Sequence, residues 1–137
     1  MTTPLRLIFG GSNRQHHLRM SMTLTSAIAA TGYYYAYDLW PLWLTTAAAC
    51  YGQEAWATAD RDVEPSRKPP CLYWLPYGHI VKHRGLLSHG LVIGTVVRLA
   101  YGWWPMLWLL WNLLPALAVA WCVGALINDL GHLALDL

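Results

Sequence analysis

Charged side chains are scarce. They make up 12% of the 137 residues, while 56% are hydrophobic, against about 25% charged and about 45–50% apolar in an average soluble domain. That shortage argues against an ordinary soluble enzyme. The net charge is only +2, and the nine basic residues form no dominating stripe, which excludes nucleic-acid binding by bulk electrostatics. Cysteine is equally sparse. Cys50, Cys71 and Cys122 form no CxxC pair, excluding a disulfide framework or a thiolate zinc site, so each is read as a small hydrophobe. There is no internal repeat, and the length suits one domain. Phenylalanine occurs once, beside nine Trp and eight Tyr. Rings with an apolar body and a polar handle collect at lipid–water boundaries.

Four segments read as helices, at about residues 17–37, 40–59, 83–101 and 104–132. At about 1.5 Å per residue the first two reach about 30 Å, the hydrocarbon thickness. The third is the shortest. The fourth exceeds a perpendicular span and carries Pro105 at its start and Pro115 inside it, so tilt or a bend is expected. Arg6, Arg14 and Arg19 before the first apolar stretch imitate a signal peptide. Three more apolar stretches follow, however, and removing the first would not leave a soluble protein. The expected fold is all-α, a single membrane-embedded four-helix up-down bundle. A buried soluble bundle is the alternative, but Trp103-Trp104-Pro105-Met106-Leu107-Trp108 offers water no polar face.

The connections differ in composition. Those at Asp38-Leu39-Trp40-Pro41 and Gly102-Trp103-Trp104-Pro105 are short, aromatic and free of basic residues. The N-terminal segment and the central loop hold Arg6, Arg14, Arg19, Arg61, Arg67, Lys68, Lys82 and Arg84, leaving Arg98 alone inside the third helix. The excess of positive charge on one side places both termini and the central loop in the cytoplasm.

On that topology His17 begins the first helix, Asp60 and Asp62 end the second, His83 and His89 begin the third, and His132 and Asp136 end the fourth. All seven fall at the cytoplasmic end. Ionisable groups at a membrane are costly, so their convergence points to a site. Imidazoles and carboxylates are the ligand set of a divalent metal such as zinc, manganese or iron, as one ion or two. His132 and Asp136 are four apart and share a helix face, with Asp129 on the same side; taken alone, that spacing is also an ordinary surface pair. Asp60-Arg61-Asp62 suits a cation or a solvated loop equally. In His83-Arg84-Gly85-Leu86-Leu87-Ser88-His89-Gly90, two His six apart would not share a face, but Gly85 permits a bend and Ser88 offers an N-cap. Glu54, within the second helix, reads as a buried acid bonded to a neighbour or to a ligand.

These residues resemble a family of bacterial membrane proteins described as metal-binding, related to LexA-regulated inner-membrane metal-dependent hydrolases. The resemblance rests on His17-Leu18-Arg19-Met20-Ser21, Asp60-Arg61-Asp62, Trp74-Leu75-Pro76-Tyr77, the stretch from His83 to Tyr101, and His132-Leu133-Ala134-Leu135-Asp136. It departs where the family commonly has Pro and Leu around the aspartates and this chain has Ala59 and Arg61. The resemblance implies metal-dependent hydrolysis. The ligand residues would hold the metal, while Arg84 and Arg61 would grip phosphate oxygens of a lipid phosphate or another phosphoester. Membrane lipids are then the expected partners. Two other readings stay open. One is a structural subunit of a larger membrane assembly or homo-oligomer, with a structural ion or a polar cluster; the other is metal transport, although no polar path continues through the outer helix halves.

Overall fold

The computed structural model describes residues 14–58, 71–81, 87 and 90–136; the side chains of 14, 71, 72, 75 and 136 fall outside that description. The described residues are helical: α1 (Arg14–Tyr35), α2 (Trp40–Ala57), α3 (Leu75–Ile80), α4 (Leu91–Arg98), α5 (Trp104–Leu113) and α6 (Pro115–Asp136). A 3-10 turn, Cys71–Trp74, leads into α3, and a π turn, Leu99–Trp103, joins α4 to α5.

Side-chain pairings give the directions. Ser21 on α1 meets Cys50 on α2, His17 on α1 stacks on His132 of α6, Asn128 on α6 meets Glu54 on α2, and Thr95 on α4 meets Asp129 on α6. Thus α1 and the rod from α4 to α5 run one way while α2 and α6 run the other, and α6 touches α1, α2, α4 and α5. Close approach of α6 to α2 requires Gly124, where a Cβ would collide with the Thr46 carbonyl oxygen and lie 2.8 Å from the Ala49 Cβ.

Two boundaries differ from expectation, and both involve proline. The reversal expected at Gly102-Trp103-Trp104-Pro105 falls instead at Leu114, which is extended (φ −157°, ψ 105°). The Pro115 ring disfavours helical geometry in the residue before it. Pro105 does not break its helix. It has no N–H for the carbonyl of Tyr101 four residues back, and the wider π turn absorbs the mismatch. The freed oxygens find other donors: the Tyr73 hydroxyl donates to the Tyr101 carbonyl, and Trp56 Nε1 donates to the Gly102 carbonyl at 3.2 Å. The third helix starts later than expected, at Leu91, with Gly90 as its N-cap (φ −65°, ψ 121°); Ser88 lies outside the described residues.

The central segment was read as a loop, yet Cys71–Ile80 is helical and folds inward. Trp74, Tyr77 and Val81 are buried with Ala57, packed by Trp56, Val97, Tyr101 and Trp103. Around them the distribution of polarity is inverted. Trp104, Trp108, Trp111, Val119, Val123 and Leu130 are exposed, whereas Ser21, Gln53, Thr95, Arg98, Asn128 and Asp129 are buried. Four spans were expected, but among the described residues one helix, Pro115–Leu135, is long and apolar enough to cross a membrane, with mean hydropathy 1.4. The π turn separates α4 and α5, of 8 and 10 helical residues, and α1 opens with Arg14, Gln15, His16, His17 and Arg19.

Candidate metal centre

Two adjacent residues on α2, Gln53 and Glu54, face two adjacent residues on α6, Asn128 and Asp129, and each pair builds half of a buried polar cluster. In the first half Asp129 pairs with Arg98 at 2.6 Å, both side chains 1% exposed. Thr95 Oγ1 donates to the same carboxylate oxygen at 2.5 Å, and Gln53 Nε2 donates to it at 3.2 Å. Trp103 Nε1 in turn donates to Gln53 Oε1 at 3.0 Å. The carboxylate is thus matched by a full cation and by neutral donors, the condition on which a buried charge persists.

In the second half Glu54 accepts from Asn128 Nδ2 at 3.3 Å and from His132 Nδ1 at 3.3 Å. Thr58 Oγ1 lies 3.5 Å from that same nitrogen. His17 from α1 covers the other face of His132, with ring centroids 3.9 Å apart and planes 20° from parallel. Two imidazolium charges about 4 Å apart would repel by about 4 kcal/mol at an effective dielectric of about 20. A neutral imidazole is the form that ligates metals.

The structure brings His17, the end of α2 and His132 to one end of the bundle, as the up-down reading requires. His17 is 2% exposed and His132 0%. Asp136 follows His132 by one turn on α6, with its side chain outside the description. Asp60, Arg61, Asp62, His83, Arg84 and His89 lie outside the described residues. Among the described residues no three His, Cys, Asp or Glu side chains are grouped to hold an ion.

Sequence reasoning missed the Arg98 pairing. It assigned Asp129 to the face of His132, whereas Asp129 turns toward α4 and is saturated there. The available signal was that a lone Arg in an apolar helix needs an anion of comparable depth.

The molecule therefore belongs to the class of all-α bundles that gather imidazole and carboxylate at one end. More particularly, the chain belongs to the family described as uncharacterized metal-binding protein (DUF2227), whose model matches residues 12–136. Comparisons with curated proteins and with solved structures found no match. The residues present fit a cation. The second half of the cluster is rich in acceptors, with the Glu54 carboxylate, two imidazoles and Asn128 Oδ1, a buried oxygen without a hydrogen-bond donor among the described residues. His17 and His132 are the described residues that would hold it.

Proposed function

We propose that this chain is a membrane-embedded metal-dependent hydrolase acting on a lipid phosphate or a related phosphoester at the cytoplasmic face of the inner membrane. The observation that carries the reading is the stack of His17 on His132, 3.9 Å between centroids, with Glu54 and Thr58 against the same ring. It joins three of the four helix ends from which the ligands are drawn. The apolar exterior of α5 and α6 around a polar interior supports the membrane setting.

In this reading His17, Asp60, Asp62, His83, His89, His132 and Asp136 hold one or two divalent ions. When bound, such an ion supplies Lewis-acid activation of water and neutralises charge on the ester. Arg61 and Arg84 bind and orient the phosphate oxygens through their planar forks. The buried Arg98–Asp129 pair keeps α4 and α6 in register beneath the site.

A second reading, a structural ion in a subunit of a larger assembly or homo-oligomer, is favoured by the burial of both rings, since catalysis needs an open coordination position. Elemental analysis of the detergent-purified chain, followed by incubation with lipid phosphates, separates the two. Bound metal and turnover absent from a His83→Ala His89→Ala variant support the hydrolase. Bound metal with no turnover above that variant leaves the structural reading, and a preparation without stoichiometric metal removes both.

A further inference from the structure

Asp129 and Glu54 are buried carboxylates in neighbouring halves of one cluster, but they are matched differently. Asp129 has a guanidinium at 2.6 Å. Glu54, itself 6% exposed, has a side-chain amide and an imidazole, and no Lys or Arg among the described residues reaches it. Its oxygen Oε2 receives both Asn128 Nδ2 and His132 Nδ1 at 3.3 Å. An imidazole that donates from Nδ1 while neutral carries its lone pair on Nε2, at the opposite edge of the ring. The stack on His17, with planes 20° apart, fixes the tilt of the ring, and the bond to Glu54 fixes its rotation within that plane. Both freedoms of a ligating imidazole are thereby removed. A cation held beyond the ring would supply the positive charge that Arg98 supplies to Asp129, relayed through the imidazole.

We infer that Glu54 is the positioning residue of the metal centre, holding His132 as the Nδ1–H tautomer so that Nε2 is presented to the ion. The inference rests on the metal reading above and adds to it a residue that would not itself touch the ion.

The test uses the full chain in detergent and titrates Zn²⁺ and Co²⁺ against a competing chelator for wild type, Glu54→Gln and His132→Ala. Glu54→Gln keeps an acceptor oxygen and loses the charge. It is expected to weaken both ions by about 10–100-fold and to shift the visible bands of bound Co²⁺, with helix content by circular dichroism unchanged. His132→Ala is expected to weaken binding further. Wild-type affinity and unchanged Co²⁺ bands in Glu54→Gln, with binding lost in His132→Ala, would overturn the positioning role and leave the metal centre standing. Stoichiometric binding of neither ion by wild type would overturn the metal reading and this inference with it. Nitrogen-15 NMR of histidine-labelled wild type, loaded with Zn²⁺, supplies a check that needs no variant. Nδ1–H with an unprotonated Nε2 at His132 is expected; an imidazolium or an Nε2–H tautomer would refute the proposal.

Discussion

Replacing Arg98 with Met tests whether the core is organised by charge. The two side chains are each 1% exposed and meet at 2.6 Å, so neither is screened by solvent as a surface pair would be. With charges centred about 4 Å apart and an effective dielectric of about 20, their attraction is about 4 kcal/mol. Removing one partner also strands the other, and broken buried pairs typically cost about 3–5 kcal/mol. Thr95 and Gln53 still donate to Asp129 in the variant, which moves the expectation to the lower end, about 3 kcal/mol. Asp129→Asn alone should cost a similar amount. The double variant Arg98→Met Asp129→Asn, which removes both charges, should return to within about 2 kcal/mol of wild type. Reversible denaturant unfolding of the detergent-solubilised protein, followed by circular dichroism, gives all four corners of this cycle. A loss under about 1 kcal/mol for Arg98→Met, or a double variant as unstable as the two singles combined, would refute the reasoning.

Three further outcomes are expected. Gly124→Val should force α2 and α6 apart, because the added Cβ meets the Thr46 carbonyl; a thermal melt should register a loss of about 1–3 kcal/mol, the usual cost of overpacking. Tyr73→Phe removes the hydroxyl that donates to the Tyr101 carbonyl at the π turn, and equilibrium unfolding should show about 0.5–1.5 kcal/mol lost, since the group is partly solvated. Stripping metal with a chelator should lower the melting temperature, and readdition should restore it; a bound ion at about 100 times its Kd contributes about 2.7 kcal/mol.

Much of the architecture was legible because periodic apolar runs with aromatic and basic punctuation carry it. The all-α class and the antiparallel run of the first two helices follow from these runs, and so does the meeting of His17 with His132. Their ends were harder to place. Pro105 reads as a stop, but its missing donor is tolerated inside a π turn whose carbonyl is satisfied by Tyr73, 28 residues away. Leu114-Pro115 reads as a bend within a helix and is the reversal. The segment from Cys71 to Ile80 lacks a clear period, so its burial depends on partners such as Trp56 and Tyr101 that no local pattern announces. Arg98 and Asp129 were each visible as isolated charges. Their pairing across 31 residues depends on the rotation of two helices about their axes, which the π turn and Gly124 help to set. The meeting of His17 with His132 was readable from topology alone, whereas the contact of Glu54 with the His132 ring required the ring orientation.

The imidazole stack ties the first long helix to the last. During synthesis, a chain that has emerged only through α5 already contains His17 and Glu54 but has no ring for either to hold. The contact thus forms only when α6 arrives, which makes that helix the keystone of the described bundle.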